Sequence, residues 1–167
     1  YAPCLSAIAG YPADSAPLPP WKAQSFLDAP VVGWIGLDSS KRPHPQQPVF
    51  VVQSSANFAQ LHLEAADLQP VGKEMLQQAA QILALPWLET PEWMQVHRWR
   101  YAFPSNPCPE VVLSANTSLP LVCCGDWCGK NLIEGAMLSG LAASVAINHH
   151  LDQSTLINVN FFKIFAS

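Results

Sequence analysis

The sequence predicts an α+β fold, a mixed and largely antiparallel sheet with flanking helices, and three observations support this prediction. Short runs of β-branched and aromatic residues are bounded by turn residues, as strands are. Segments with apolar residues at helical spacing lie among them without a regular alternation of the two. Half of the 167 residues are hydrophobic and 12% are charged, which indicates a globular chain with room for a core.

The first strands are expected near the beginning of the chain. Residues 4–10 form a small apolar strand candidate, followed by a proline-rich loop over 12–20. Val31–Leu37 and Val49–Gln53 are β-branched runs and are predicted to be strands. The segment between them is polar and interrupted by proline, so we expect a hairpin whose long exposed loop has no regular structure.

The middle of the chain predicts two helices. The first covers Ala56–Glu64 and follows Ser55. The second covers Gly72–Leu85, where apolar residues recur at i, i+3, i+4 and i+7 spacing, and Pro86 ends it.

The remaining elements are three strands and a helix. Trp93–Phe103 alternates aromatic and basic residues and is predicted to be a strand. Val111–Leu113 and Leu119–Cys124 are expected to be short buried strands. Asn131–Ile147 is predicted to be a helix that is apolar almost all round.

Composition and charge narrow the possible partners. The net charge of −4 is mild and the basic residues are scattered, so neither nucleic acid nor an anionic membrane surface is expected. The five cysteines do not form a secreted disulfide framework, and we expect them to be reduced in a cytoplasmic protein. Cys123, Cys124 and Cys128 have no histidine nearby, so no metal site is expected. The apolar run of the last helix is shorter than the ~20 residues of a membrane span.

The segment Gly125–Gly140 has the strongest indication of ligand chemistry. An apolar strand leads into Gly-Asp, then a short loop, then a helix rich in small residues. A helix N-terminus has free N–H groups and a positive dipole end, which can stabilise negative charge on a ligand. Asp126 could accept hydrogen bonds from sugar-like hydroxyls, and the small residues would let a flat ring approach. A helix packed in a core explains the same spacing equally well.

Three motifs resemble those of known flavoenzymes. Gly125-Asp126, a loop and then Ile-Glu-Gly-Ala-x-x-Ser-Gly from Ile133 look like the C-terminal FAD motif of flavin-containing amine oxidases. Gly-Asp-Trp-Cys, Ser39-Ser40-Lys41 after a strand and His97-Arg-Trp-Arg-Tyr-Ala together are similar to motifs of renalase-like NAD/FAD-dependent oxidoreductases. The similarity extends from about Tyr1 to about Ile147.

The resemblance implies FAD as cofactor and a set of residues that bind it. Asp126 would contact its ribityl or pyrophosphate part, and backbone N–H groups near Ile133 and Glu134 would face the flavin pyrimidine edge. Negative charge on reduced flavin would be stabilised there. The implied cofactor-binding residues are Gly125, Asp126, Asn131, Ile133, Glu134 and Ala136.

Candidate substrate contacts lie on the predicted strand Trp93–Phe103. Alternation places His97, Trp99 and Tyr101 on one face and the arginines between them on the other. Aromatic side chains beside a flavin could form a substrate slot. The alternative is a half-buried strand whose aromatic face packs on the core and whose basic face is solvated.

The resemblance also divides the chain. Residues 1–113 would be a substrate-binding domain, 114–148 the strand and helix that contact FAD, and 149–167 a tail of uncertain structure. No G-x-G-x-x-G occurs, so the main nucleotide site is expected in a missing N-terminal FAD-binding half of the same protein. Since Tyr1 follows no initiator methionine or signal peptide, the chain is expected to be part of a longer protein.

The function implied is hydride transfer from a small-molecule substrate, a reduced nicotinamide or an amine, to FAD, with reoxidation by oxygen or another acceptor. The isolated chain is expected to be inactive and not to bind FAD tightly. One alternative is a non-catalytic or regulatory module that retains the flavoprotein fold. A weaker alternative is a membrane-associated enzyme of the desaturase type.

Overall fold

The chain forms two compact units, Tyr1–Phe103 and Pro104–Ser167. The computed structural model describes residues 1–14, 17–115, 121–129 and 132–151. The fold class is α+β, as predicted. The units divide after Phe103, earlier in the chain than the boundary after residue 113 that the sequence predicted.

The first unit is built on a five-stranded antiparallel sheet. Its strands are β1 (Ala2–Gly10), β2 (Ala23–Ser25), β3 (Val32–Leu37), β4 (Val49–Ser54) and β5 (Trp93–Phe103). They lie in the order β2-β3-β4-β1-β5. Ser6 of β1 lies opposite Gln53 of β4 on one side and opposite His97 of β5 on the other. As an interior strand, β1 is paired along both edges, and it is buried along most of its length.

The predicted hairpin of β3 and β4 is confirmed by their antiparallel pairing. The prediction that its loop has no regular structure is wrong at the start, because Asp38–Lys41 forms a turn of 3-10 helix. Lys41 Nζ lies 2.9 Å and Arg42 Nη1 lies 2.7 Å from the Asp38 carboxylate. These two local ion pairs hold the loop close to the end of β3.

Helix α1 (Ala56–Leu61) begins at a capping serine and is shorter than predicted. Ser55 Oγ accepts a hydrogen bond from the Phe58 N–H at 3.1 Å, which satisfies one of the free donors of the first turn. The helix ends before His62, whose N–H donates to the Ala59 carbonyl in a tighter turn. The predicted end at Glu64 was therefore too late.

Helix α2 (Gln69–Leu83) starts and ends earlier than the predicted Gly72–Leu85. Pro70 lies in its first turn, where the N–H that proline lacks has no helical partner. Ala84 adopts a left-handed conformation with φ 53° and ends the helix. Pro86 then starts a short 3-10 turn, Pro86–Glu89.

The core of the first unit lies between these helices and one face of the sheet. The buried sheet residues on this face include Leu5, Ala7, Ala9, Ile35, Phe50 and Val52, and those of the helices include Phe58, Val71, Met75, Leu76 and Ala79. Tyr11 is also fully buried, and its hydroxyl donates a hydrogen bond to the Leu88 carbonyl at 2.8 Å. The residues of alternate positions in each strand are thereby placed on the opposite face of the sheet.

The second unit contains a two-stranded sheet and a long helix. Strands β6 (Leu113–Ala115) and β7 (Leu121–Cys123) pair antiparallel. The first starts where the predicted Val111–Leu113 was expected to end, and residues 119–120 of the other prediction lie outside the described residues.

Helix α3 (Leu132–Leu151) continues beyond the predicted end at Ile147. Residues 149–151 of the predicted tail therefore belong to it, while the rest of that tail lies outside the described residues. Within the described ranges, no helix is both long enough and apolar enough to cross a membrane.

Candidate functional site

The candidate substrate residues of β5 lie on an exposed face of the sheet. The rings of His97 and Trp99 are in contact, with their centroids 4.2 Å apart. Trp99 Nε1 donates a hydrogen bond to Ser6 Oγ at 3.2 Å, and 51% of the Trp99 surface is exposed. The structure therefore brings His97 and Trp99 together, and the hydrogen bond from Trp99 to Ser6 holds this pair against strand β1.

Tyr101 does not continue this row. The pairing of β1 with β5 shifts register beyond Trp99, and Tyr101 lies in the irregular stretch. Its ring packs edge-on against Tyr1 at 6.4 Å and is 77% exposed. The ring partner that the structure gives Tyr101 is therefore Tyr1.

The arginines of β5 bond to the segment that follows α1, and Arg100 stays exposed, so only the aromatic core face of that alternative is contradicted. Arg98 is half-buried and its Nη2 donates to the Ala65 carbonyl beyond the end of α1. Arg100 pairs with Glu64, one of its two hydrogen bonds measuring 3.1 Å. The hydrogen bond from Arg100 lowers the pKa of Glu64. The aromatic side chains are thus left on the exposed face.

Two glycines let indole rings lie flat on that same face. A Cβ added to Gly10 would lie 2.2 Å from ring atoms of Trp93, and one added to Gly36 would lie 2.2 Å from the ring of Trp34. Because any larger residue would push the rings away, each glycine acts as a seat for its indole. Trp34 lies opposite Gln53, in the same row across the sheet as His97. We call Trp34, Trp93, His97 and Trp99 the aromatic face.

The Ser39-Ser40-Lys41 turn borders two cavities beside the aromatic face. The larger, of about 630 Å³, is lined by Ile8, Asp38, Ser39, Arg42, His44, Pro45, Gln46, Gln47, Val49, Val51 and Trp93. The smaller, of about 250 Å³, is lined by Lys22, Ala23, Trp34, Gly36, Leu37, Asp38, Ser40, Lys41 and Val51. The larger volume is in the range of small-molecule sites.

Asp38 stands between the two cavities as a fixed negative charge. Hydrogen bonds from Lys41 and Arg42 lower the pKa of its carboxyl. The floor of the larger cavity is apolar and flat, formed by Ile8, Val49 and Val51, and an indole closes one side. This combination suits a flat molecule that has polar groups at its edge.

In the second unit, two glycines shape the turn after β7. Gly125 has φ 152° and Gly129 has φ 66°, conformations that residues with a Cβ rarely adopt. Ser139 of α3 is fully buried and links two parts of this turn region. Its Oγ accepts from the Gly125 N–H at 3.0 Å and donates to the Val111 carbonyl at 2.6 Å.

The predicted cofactor-binding residues around this turn differ in their surroundings. Asp126 is half-buried directly after Gly125, and Ala136 is half-buried in α3. Ile133 is 89% exposed at the start of α3 and Glu134 is also exposed, while Asn131 lies outside the described residues. The helix α3 therefore begins with the apolar side chain of Ile133 exposed to solvent.

The surroundings of the predicted flavin contacts match a flavin site only in part. A cavity of about 360 Å³ is lined by Pro109, Val111, Cys128, Gly129, Gly135 and Leu138. A Cβ built at Gly140 has no neighbour within 4 Å, because Gly140 is exposed on the surface of α3. Of the predicted cofactor-binding residues that the structure describes, none lines the cavity, although Gly135 and Leu138 of α3 do. The sequence has no phosphate-binding glycine loop, so these residues do not fit a whole dinucleotide.

No group of three or more His, Cys, Asp or Glu side chains that could hold a metal ion is found in the described part of the chain.

No protein-family model matches this chain. The likeness to renalase-like oxidoreductases therefore remains a prediction from the three motifs.

Several residues that shape these sites were not singled out from the sequence for their roles. Trp34 and Gly36, spaced i and i+2, could have been recognised as a ring lying over a glycine on one strand face. Trp93 with Gly10 has no local signal, since the two residues meet only through strand pairing. Ser139 was noted as a small residue, but its two hydrogen bonds depend on how α3 packs against the turn.

Proposed function

We propose that this chain is the substrate-side part of an FAD-dependent oxidoreductase that takes a hydride from a small-molecule substrate. The observation that carries the proposal is the segment from β7 to α3. There two glycines with positive φ, a half-buried aspartate and the first turns of α3 follow one another. Bound FAD would supply the hydride acceptor. The proposal includes a nucleotide-binding part contributed by an N-terminal half of the same protein.

Within this proposal, the second unit contributes flavin contacts. Asp126 would accept hydrogen bonds from hydroxyls of the ribityl chain or neighbouring pyrophosphate region. The first backbone N–H groups of α3, near Ile133 and Glu134, would stabilise negative charge at the pyrimidine edge. The Glu134 carboxylate is on an exposed residue, which is consistent with its backbone rather than its side chain serving that edge.

The first unit contributes substrate contacts. The aromatic face offers flat apolar surfaces, and its larger cavity has the volume of a small-molecule site. Reduced nicotinamides and aromatic amines are flat molecules with polar edges, and either would suit an apolar floor with Asp38, Gln47 and His44 at the rim. Hydride transfer from a neutral donor needs no general base, and the chain would act by positioning the donor and excluding water.

The proposal includes a cytoplasmic location and a requirement for both halves of the protein. All five cysteines are free, which supports a reducing compartment. A chain without the nucleotide-binding part should bind FAD only weakly and should not turn over substrate.

The decisive experiment uses the longer polypeptide that carries this chain together with its proposed nucleotide-binding half. A flavin absorbance band should survive gel filtration, and anaerobic addition of a reduced nicotinamide or an amine should bleach it. Retention of flavin without bleaching by either donor would favour the non-catalytic module. Absence of flavin, with no FAD uptake in a titration, would refute the proposal.

A variant pair tests the role given to Asp126. Loss of a hydrogen bond to a charged group costs about 1.5–3 kcal/mol, so Asp126→Ala should weaken FAD affinity about 10- to 150-fold. Asp28→Ala removes an exposed aspartate of the first unit and should leave FAD affinity unchanged. Equal affinities in the two variants would remove Asp126 from the site.

A further inference from the structure

Two cysteines of the second unit are paired directly across backbone hydrogen bonds. Cys108 and Cys128 form an isolated parallel β-bridge. The Cys108 N–H donates to the Trp127 carbonyl at 2.7 Å, and the Gly129 N–H donates to the Cys108 carbonyl at 2.8 Å. Hydrogen bonds to the residues on both sides of Cys128 fix these two cysteines as opposite partners.

This pairing suits a disulfide. Paired strands lie about 4.7–4.9 Å apart, and disulfides join Cα atoms that are about 4.4–6.8 Å apart. The Cα spacing typical of such a bridge therefore lies within the range that a disulfide spans. Both sulfurs are free thiols in this structure.

The two thiols differ in access, which gives them different parts in an oxidation. Cys128 is fully buried, whereas Cys108 is partly exposed, so a dissolved oxidant reaches Cys108 first. Cys108 Sγ donates a hydrogen bond to the Glu110 carboxylate at 2.9 Å. That hydrogen bond raises the pKa of the Cys108 thiol.

The other cysteines are less suited to pair with Cys108. Cys123 lies in β7 opposite Leu113, and Cys124 is its sequence neighbour. Cys4 is buried in the first unit, where its Sγ lies 3.8 Å from the Ser54 carbonyl. Only Cys128 has a backbone pairing with Cys108 among the described residues.

We propose that Cys108 and Cys128 are a redox modification site that closes into a disulfide in the presence of a small-molecule disulfide such as oxidised glutathione. The Cys108 thiolate attacks the small disulfide, forming a mixed disulfide and releasing one small thiol. The Cys128 thiolate then displaces the second small thiol and forms the Cys108–Cys128 bond. The protein loses two electrons and two protons, and the small disulfide becomes two thiols.

Closure would covalently pin the base of the loop that contains β6, β7 and the Gly125 turn. Among the described residues, the contacts that hold this loop include the two backbone hydrogen bonds at the bridge, the β6–β7 pairing and the Ser139 hydrogen bonds. The inference does not depend on flavin binding, because it rests on the geometry of the bridge alone.

The test uses the full chain with Cys123→Ser and Cys124→Ser, so that the exposed thiols do not react. After incubation with oxidised glutathione, thiol titration should fall from three to the single thiol of Cys4. Digestion without reductant should release a peptide pair linked through Cys108 and Cys128. Dithiothreitol should restore all three thiols.

Cys108→Ser in the same background is the matched control, and it should show no linked peptide and no mixed disulfide at Cys128. If that variant does not fold, the peptide map of the parent protein still decides the question. A stable mixed disulfide on Cys108 with Cys128 still reduced would overturn the proposal, as would a link that pairs either residue with Cys4.

Discussion

Ser139→Ala should destabilise the turn that precedes Asp126, because the Ser139 hydroxyl hydrogen-bonds to the backbone there. The serine hydroxyl is fully buried and serves two backbone groups, the Gly125 N–H at 3.0 Å and the Val111 carbonyl at 2.6 Å. Alanine leaves both groups without that partner. Val111 is itself 46% exposed, so water can reach its carbonyl, and the larger penalty falls on the Gly125 N–H.

The free-energy cost of Ser139→Ala is mainly that of leaving the Gly125 N–H without an acceptor. One buried donor left without a partner costs about 1–3 kcal/mol. Local opening of the turn should become easier by the same amount, so the Gly125 amide should exchange about 5- to 150-fold faster. Hydrogen exchange followed by mass spectrometry or NMR reads this site directly.

Ser144→Ala is the control for this prediction. Ser144 lies in the same helix and is exposed, and its hydroxyl donates to the Leu141 carbonyl at 2.8 Å within the helix. Its replacement should change stability by less than about 0.5 kcal/mol. If Gly125 exchanges at the same rate in both variants, the buried serine does not hold the turn and the reasoning fails.

Three further perturbations have defined outcomes. Tyr11→Phe should lower the free energy of unfolding by about 1–3 kcal/mol because the Leu88 carbonyl loses its donor. Burial raises the pKa of Tyr11 in the folded protein. The contribution of Tyr11 to the free energy of unfolding is therefore complete below pH ~10 and is lost as the pH rises through the folded-state pKa. Urea titrations at increasing pH should show this loss in the native protein and not in Tyr11→Phe. Glu110→Gln should lower the pKa of Cys108, so iodoacetamide should alkylate Cys108 faster at neutral pH, and an unchanged rate would contradict the assigned hydrogen bond. Gly36→Ala should displace the indole above it while the fold persists, so near-ultraviolet circular dichroism should change and far-ultraviolet circular dichroism should not.

Elements with strong local signals were predicted best from the sequence. The bounds of β5, Trp93–Phe103, agree with the prediction because aromatic residues stand at both ends and aromatic and basic residues alternate over His97–Tyr101. The 3-10 turn at Asp38 was missed because prolines farther along the loop hid the local ion pairs with Lys41 and Arg42. The early start of α2 was missed because proline in a first turn looks like a helix breaker when it is read alone.

The site residues were harder to place because their surroundings depend on distant parts of the chain. Arg98 faces the helices because the Ala65 carbonyl beyond α1 accepts its hydrogen bond, and no pattern within β5 indicates that partner. Tyr101 packs against Tyr1 beyond the register shift between β1 and β5, and no pattern within β5 indicates that partner. Alternation within one strand predicts which residues share a face, but the packing of neighbours decides which face becomes exposed.

Because β1 pairs with β4 on one edge and β5 on the other, its folding depends on strands that are synthesised much later. Ser6 is among the first residues of this chain to be made, yet its partners Gln53 and His97 follow much later. During translation β1 is therefore an apolar segment with both edges unpaired until β4 and then β5 have been synthesised. Contacts so distant in sequence slow folding, and such a segment can associate with other chains. We expect chains interrupted before β5 to need chaperones, and aggregation should fall sharply once Phe103 has emerged from the ribosome.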